Sequence, residues 1–168
     1  MALLDTKTTE GLLNESKDIT DIDLSVTNKK EFRIDGDNSR ILKLNTSDLS
    51  MVSRLQLLYP ELQKLGAEAV SKLDLDNEEI TVDEMIDQAA SAISEIDTKM
   101  RNLMDELFDA NVSETCAPNG TMFDPINGKF RFEHIIDVLS GLYESNMQSE
   151  IKKTASRIAK HTDKYTKH

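Results

Sequence analysis

Acidic side chains spaced for a cation, three histidines and one cysteine are the residues of this chain whose types could do chemistry. Asp74, Asp76 and Glu78 stand at the alternate spacing of a calcium loop. Such a loop also needs a glycine at its sixth position and a bidentate glutamate at its twelfth. Glu79 and Met85 stand there instead, so the loop can neither turn sharply nor close its shell. Asp35, Asp37 and Ser39 begin the same pattern, and Arg40 and Thr46 break it at the same two places. The histidines at 134, 161 and 168 are too far apart to share a helix face as paired zinc ligands do, and Cys116 has no second thiolate beside it. Cys116 and His134 could form a nucleophile and base. Cys116, however, lies in a Pro and Gly loop with no oxyanion or orienting motif nearby, so an ordinary loop thiol is expected. The glycine patterns GxxxxGK[ST], GxGxxG and GxSxG do not occur. The 31 acids are too many to single out a catalytic pair. The expectation is a chain without catalysis, cofactor or metal.

The elements that must carry these residues are built from sparse apolar material. Apolar residues make up 38% of the 168, aromatics 5%, and there is no Trp, so the core must be thin layers of Leu, Ile, Met and Ala in one domain. Charged residues reach 30% and no apolar run approaches the length of a membrane span; no membrane role is expected. Residues 1–7 lack a basic, apolar leader pattern, and a lone cysteine forms no internal disulfide, so a cytoplasmic setting is expected. The formal net charge of -11 repels phosphate backbones, which argues against nucleic-acid binding. The charge is uneven. From Glu150 onward six bases face two acids, a local +4, against -15 for the rest. That polarity suits a tail that docks another protein, or one that pairs with its own body.

Residues 1–20 are polar and read as an arm. Ile22, Leu24 and Val26 alternate with polar residues, as do residues 31–34, and residues 40–44 follow the Asp35-Gly36 turn signal. A three-stranded antiparallel meander over 21–44 is expected. Asn45, Thr46, Ser47 and Asp48 supply capping oxygens for a helix whose apolar stripe runs through Leu49, Val52, Leu55, Leu58, Leu62 and Leu65. Pro60 predicts a kink or a junction there, and Gly66 a possible end. After an acidic connector over 74–79, Thr81 and Glu84 form a capping-box pattern. From there Ile86, Ile93, Met100 and Leu107 recur every seven residues, with Ala89, Ile96 and Leu103 between them. This seam predicts a helix from residue 81 or 82 to about 108 that either faces the chain's own core or meets a partner as a coiled coil. Turn residues fill 109–128, with Met122 and Phe123 as anchors. A last helix should start near Phe130 or Phe132 and bury Ile135, Ile136, Leu139, Leu142 and Tyr143, then continue as a basic tail over 152–168. The fold class expected is α+β, mostly α: a small sheet, then three main helices over 47–151.

The stretch from Lys30 to Leu49, KEFRIDGDNSRILKLNTSDL, resembles small tail-gene-cluster proteins of siphophages that infect Gram-positive bacteria. The stretches MFDPINGKF from Met122, FEHII from Phe132 and KHTDKY from Lys160 add to the resemblance. Together they cover at most half of the chain and bear on fold, not catalysis. The resemblance implies a tail assembly chaperone, or a related morphogenesis protein, in the cytoplasm of the bacterial host. Its implied partners are the tape-measure and tail-tube proteins. On that reading the seam residues Ile86, Ile93, Ile96, Met100 and Leu103, or the stripe from Leu49 to Leu65, meet partner helices or a second copy. Lys152, Lys153, Arg157 and Lys160 then engage an acidic surface. The rival readings are an acidic inhibitor of host defence that imitates nucleic acid, and a permanent head-tail or tail component.

Overall fold

The computed structural model describes residues 19–24, 29–73 and 81–166, with side chains through residue 162. The class is α+β and mostly α, as the sequence leads one to expect. Strands β1 (Lys29–Arg33) and β2 (Ile41–Asn45) pair antiparallel, from Lys29 opposite Asn45 to Arg33 opposite Ile41. Asp35 and Gly36 make the turn with φ of 51° and 72°, and the Asp37 amide donates to the Ile34 carbonyl at 2.9 Å. An αL pair of this kind is what Asp-Gly tolerates. In β2, Leu42 and Leu44 are buried while Ile41 and Lys43 are exposed, so one face of the hairpin lies on the helices.

The expected third strand is corrected. Residues 19–24 are neither strand nor helix, and Ile22 and Leu24 are exposed; alternation without a face to cover is not enough to pair a strand. Val26, the arm over 1–18 and the connector over 74–79 lie outside the described residues.

Helix α1 spans Ser50–Lys72. Asp48 opens it, accepting from the Ser50 amide at 2.9 Å and from Arg54 Nη2 at 3.0 Å. The helix passes through Pro60 and Gly66 instead of breaking at either. Pro60 and Gln56, whose carbonyl loses a donor, are both exposed, so water can take the vacant bond. Gly66 is buried. A Cβ there would stand 3.3 Å from Phe132 Cζ, so the missing side chain is what lets that ring approach the helix.

Helix α2 spans Val82–Phe108 and starts with the expected capping box: the Glu84 amide donates to Thr81 Oγ1, and the Thr81 amide to Glu84 Oε2. It runs antiparallel to α1, since Arg54 Nε near the start of α1 donates to the Leu107 carbonyl at 2.9 Å. A short α3 (Val112–Cys116) and a hairpin of β3 (Pro125–Ile126) and β4 (Lys129–Phe130) follow. The hairpin turns through Asn127 and Gly128, both with positive φ. Helix α4 then runs from Arg131 to Thr166. It buries Phe132, Ile135, Leu139 and Tyr143, with Ile136 and Leu142 half-buried beside them.

The core joins β2, α1, α2, α3, the loop anchors Met122 and Phe123, and the first half of α4. Phe123 meets the rings of Phe130 and Phe132 edge-on at 5.5 and 5.7 Å, and Phe108 meets Tyr143 at 5.9 Å. Met100 lies at the centre of this cluster, fully buried, while Ile86 on the same helix is exposed. Met100→Ala should therefore cost about 2–5 kcal/mol in chemical denaturation. Ile86→Ala should stay within about 0.5 kcal/mol. An equal loss at both positions would contradict this packing.

Candidate functional site: two overhanging helical ends

Three polar residues one turn apart on α2 fix where everything after that helix sits. Asp97 Oδ2 accepts from Arg101 Nε at 2.8 Å, and Asp97 Oδ1 accepts from the Met122 amide at 2.6 Å. The Arg101 guanidinium donates to the carbonyls of Ser113, Ala117 and Gly120. Asp105 accepts from the amide and hydroxyl of Ser113 at 2.7 and 2.8 Å, capping α3. The planar guanidinium, with its N–H donors in a rigid fork, suits this gathering of carbonyls, which lysine could not reproduce. None of the three residues carries chemistry by motif. Their i, i+4, i+8 spacing was the signal that could have marked them.

The pinned loop sets the start of α4, because the Phe132 amide donates to the Met122 carbonyl at 2.9 Å. Asp97 is thus level with Phe132, and Phe108 with Tyr143. Eleven residues separate the paired positions on each helix, so α2 and α4 run parallel and in step. They are staggered, however. From Val82 to Ala92 no residue of α2 is buried, and from Gln148 to Thr162 every residue of α4 is exposed. At 1.5 Å per residue the overhangs are about 16 and 22 Å long, at opposite ends of the body.

The sequence-predicted contact residues separate along this stagger. Ile93, Ile96 and Met100, named above as partner contacts, are instead buried and belong to the chain's own core. Leu103 is half-buried at the edge of the stripe, and Met104 takes the core position beside it. A straight helix of 3.6 residues per turn rotates away from a strict seven-residue seam. Ile86 alone of the five stands on an overhang, 57% exposed, with Val82 at 70%. On the α1 stripe Leu62 and Leu65 are buried and Leu55 and Leu58 half-buried, while Leu49 and Val52 are exposed. Lys152, Lys153, Arg157 and Lys160 are all on the α4 overhang, exposed, along with Ile151 and Ile158. Among the described residues, none from 148 to 162 is buried against the body.

The overhangs are opposite in charge. From residue 74 through 97 the sequence has nine acids and no Lys or Arg. Asp83 and Asp87 are exposed on the described part. The α4 overhang is basic.

Cys116 and His134 do line one groove of about 640 Å³, together with Arg33, Arg40 and Arg131. Arg40 is committed to structure, donating to the carbonyls of Thr115 and Cys116. Burial pushes the Cys116 thiol up to about 11, so it is protonated at neutral pH and is a poor nucleophile there. Among the described residues no group of three or more His, Cys, Asp and Glu gathers as a metal site. No described helix is long and apolar enough to cross a membrane.

Asp97→Ala would leave the Met122 amide and the Arg101 guanidinium without their acceptor. It should cost about 2–4 kcal/mol in urea denaturation, and a near-neutral result would contradict the anchoring role. A pH series probes the buried thiol and phenol. Burial, and behind it the Asp48 charge, pushes Tyr143 up to about 12. Cys116 and Tyr143 both hold their protons more tightly folded than unfolded, so the unfolded chain binds fewer protons once the solution is alkaline. Stability should be fully present below about pH 9 and fall as pH rises toward 11 and 12. Tyr143→Phe should flatten the upper part of that fall in a melting series.

No family model matches the chain, and neither a curated protein nor a solved structure matches it.

Proposed function

We propose that the protein is a non-catalytic assembly factor of a phage tail, which holds partner proteins through its overhanging helical ends in the cytoplasm of the bacterial host. The resemblance of residues 30–49 and of the C-terminal stretches to siphophage tail-cluster proteins supplies the setting. The tape-measure and tail-tube proteins are the partners it suggests. The mode of binding rests on one observation: α4 runs about four turns beyond its last core contact with every side chain from 148 to 162 exposed.

Helices in water draw most of their stability from packing an apolar face, and short isolated ones are marginal. An overhang of this length is therefore completed by a partner. It offers two kinds of contact. Lys152, Lys153, Arg157 and Lys160 suit an acidic surface, and Ile151, Ala155 and Ile158, at i, i+4 and i+7, form a narrow strip for an apolar stripe on another helix. Ile86 and Val82 offer a second apolar contact at the other end.

Co-expression with the tape-measure and tail-tube proteins of the same phage tests the reading. A chain ending at Ser149 should keep its melting midpoint, because no described residue beyond it is buried, and should lose co-purification of the partner. Undiminished co-purification by that shortened chain would remove the α4 overhang as the docking element.

A further inference from the structure

The two overhangs fit one another in charge, length and face. On α4, Ile135 and Leu139 are buried in the core with Leu142 half-buried beside them, and eighteen residues further on stand Lys153, Arg157 and Lys160. Eighteen residues are five full turns, so the basic residues continue the inward face of the helix past the end of the body. Their stems, with Lys152 and Ser156, outline a shallow concavity. The same relation holds on α2. Met100, Met104 and Leu107 are core, and eighteen residues before them stand Val82, Ile86 and Ala89. These continue the inward stripe of α2 to a place where α4 has not yet begun, and Leu73 does the same for α1, four residues beyond Ala69.

Among the described residues, each molecule thus has a strip of α2 without a covering layer at one end and a length of surplus α4 at the other. The acids Asp83 and Asp87 are exposed beside the uncovered strip, and the surplus helix presents bases on its inward face. We propose that the inward face of the α4 overhang of one copy lies on the uncovered α1–α2 tip of a second copy, so that copies join head to tail. Lysine and arginine stems cover Val82, Ile86 and Leu73 while their charged ends reach the flanking acids, as amphipathic side chains do. The contact is heterologous, so it continues from copy to copy or closes as a ring. The strip of Ile151, Ala155 and Ile158, nearly opposite the basic face, stays open for a different partner. This inference deepens the proposed docking role of the α4 overhang and rests on it.

Sedimentation velocity of the full chain at rising concentration and low salt is the test. The wild type should pass twice the one-chain mass and return to one-chain mass at high salt, because the contact is largely ionic. The tail variant K153E/R157E/K160E and the tip variant D83K/D87K, all at exposed positions, should each remain at one-chain mass with unchanged circular dichroism. Combining both sets in one chain reverses both surfaces and should restore association. A wild type that keeps one-chain mass, single variants that associate like the wild type, or a combined variant that fails to recover would each overturn the pairing. If the pairing fails while truncation at Ser149 still abolishes partner co-purification, the docking role of the overhang stands and only the self-partner falls.

Discussion

The ladder of Asp97, Arg101 and Asp105 on α2 is the constraint from which the shape of the molecule follows. Residues 111–124 have little regular structure of their own, and their backbone groups need partners wherever they are shielded from water. One guanidinium donates to three of their carbonyls, and two carboxylates accept from three donors of Met122 and Ser113. The Met122 carbonyl then holds the Phe132 amide at the start of α4. A loop that would otherwise have many paths is left with one, and the starting height of α4 is set by a side chain fifteen residues into α2.

That starting height decides which apolar residues become core. Where α1, α2 and α4 overlap, the stripes of all three close on one another around Met100, Met104 and Leu107. Beyond the overlap the same stripes continue with no cover from the described residues, ending in the exposed Val82 and Ile86 at one end, while α4 changes from apolar to basic on its inward face at the other. The change in residue type coincides with the end of the body. A helix meant only to close the core would end near Met147. Continuing for about four more turns costs conformational entropy while no described side chain from 148 to 162 is buried, which is the physical ground for assigning the overhang to an external contact.

The groove holding Cys116 and His134 illustrates the opposite case. A thiol and an imidazole share a concavity there, but burial keeps the thiol protonated and the nearest arginine is occupied by backbone carbonyls. Arg40 and Arg131 brace the 115–124 segment, the latter through the Asn119 carbonyl and Asp124. What looks like a collection of reactive groups by residue type is better explained as the outer seam of the same pinned loop.

Local patterns in the sequence determined the class of the fold, the Asp35-Gly36 hairpin, the capping box at Thr81, the extent of α2 and the basic, unburied end of α4. Each depends on neighbours within a few residues: a backbone conformation that Asp-Gly tolerates, a hydroxyl and carboxylate three residues apart, an apolar spacing, a run of lysines. The tertiary structure alone decided that Ile22 and Leu24 form no strand, that α1 continues through Pro60 and Gly66, and that Ile93, Ile96 and Met100 are covered from within while Ile86 is not. A periodic stripe says which side of a helix is apolar, but not how far along it a neighbour reaches. That reach was set by hydrogen bonds between residues distant in the chain, such as Met122 to Asp97 and Arg54 to Leu107, and contacts at such separation leave no periodic mark in the sequence.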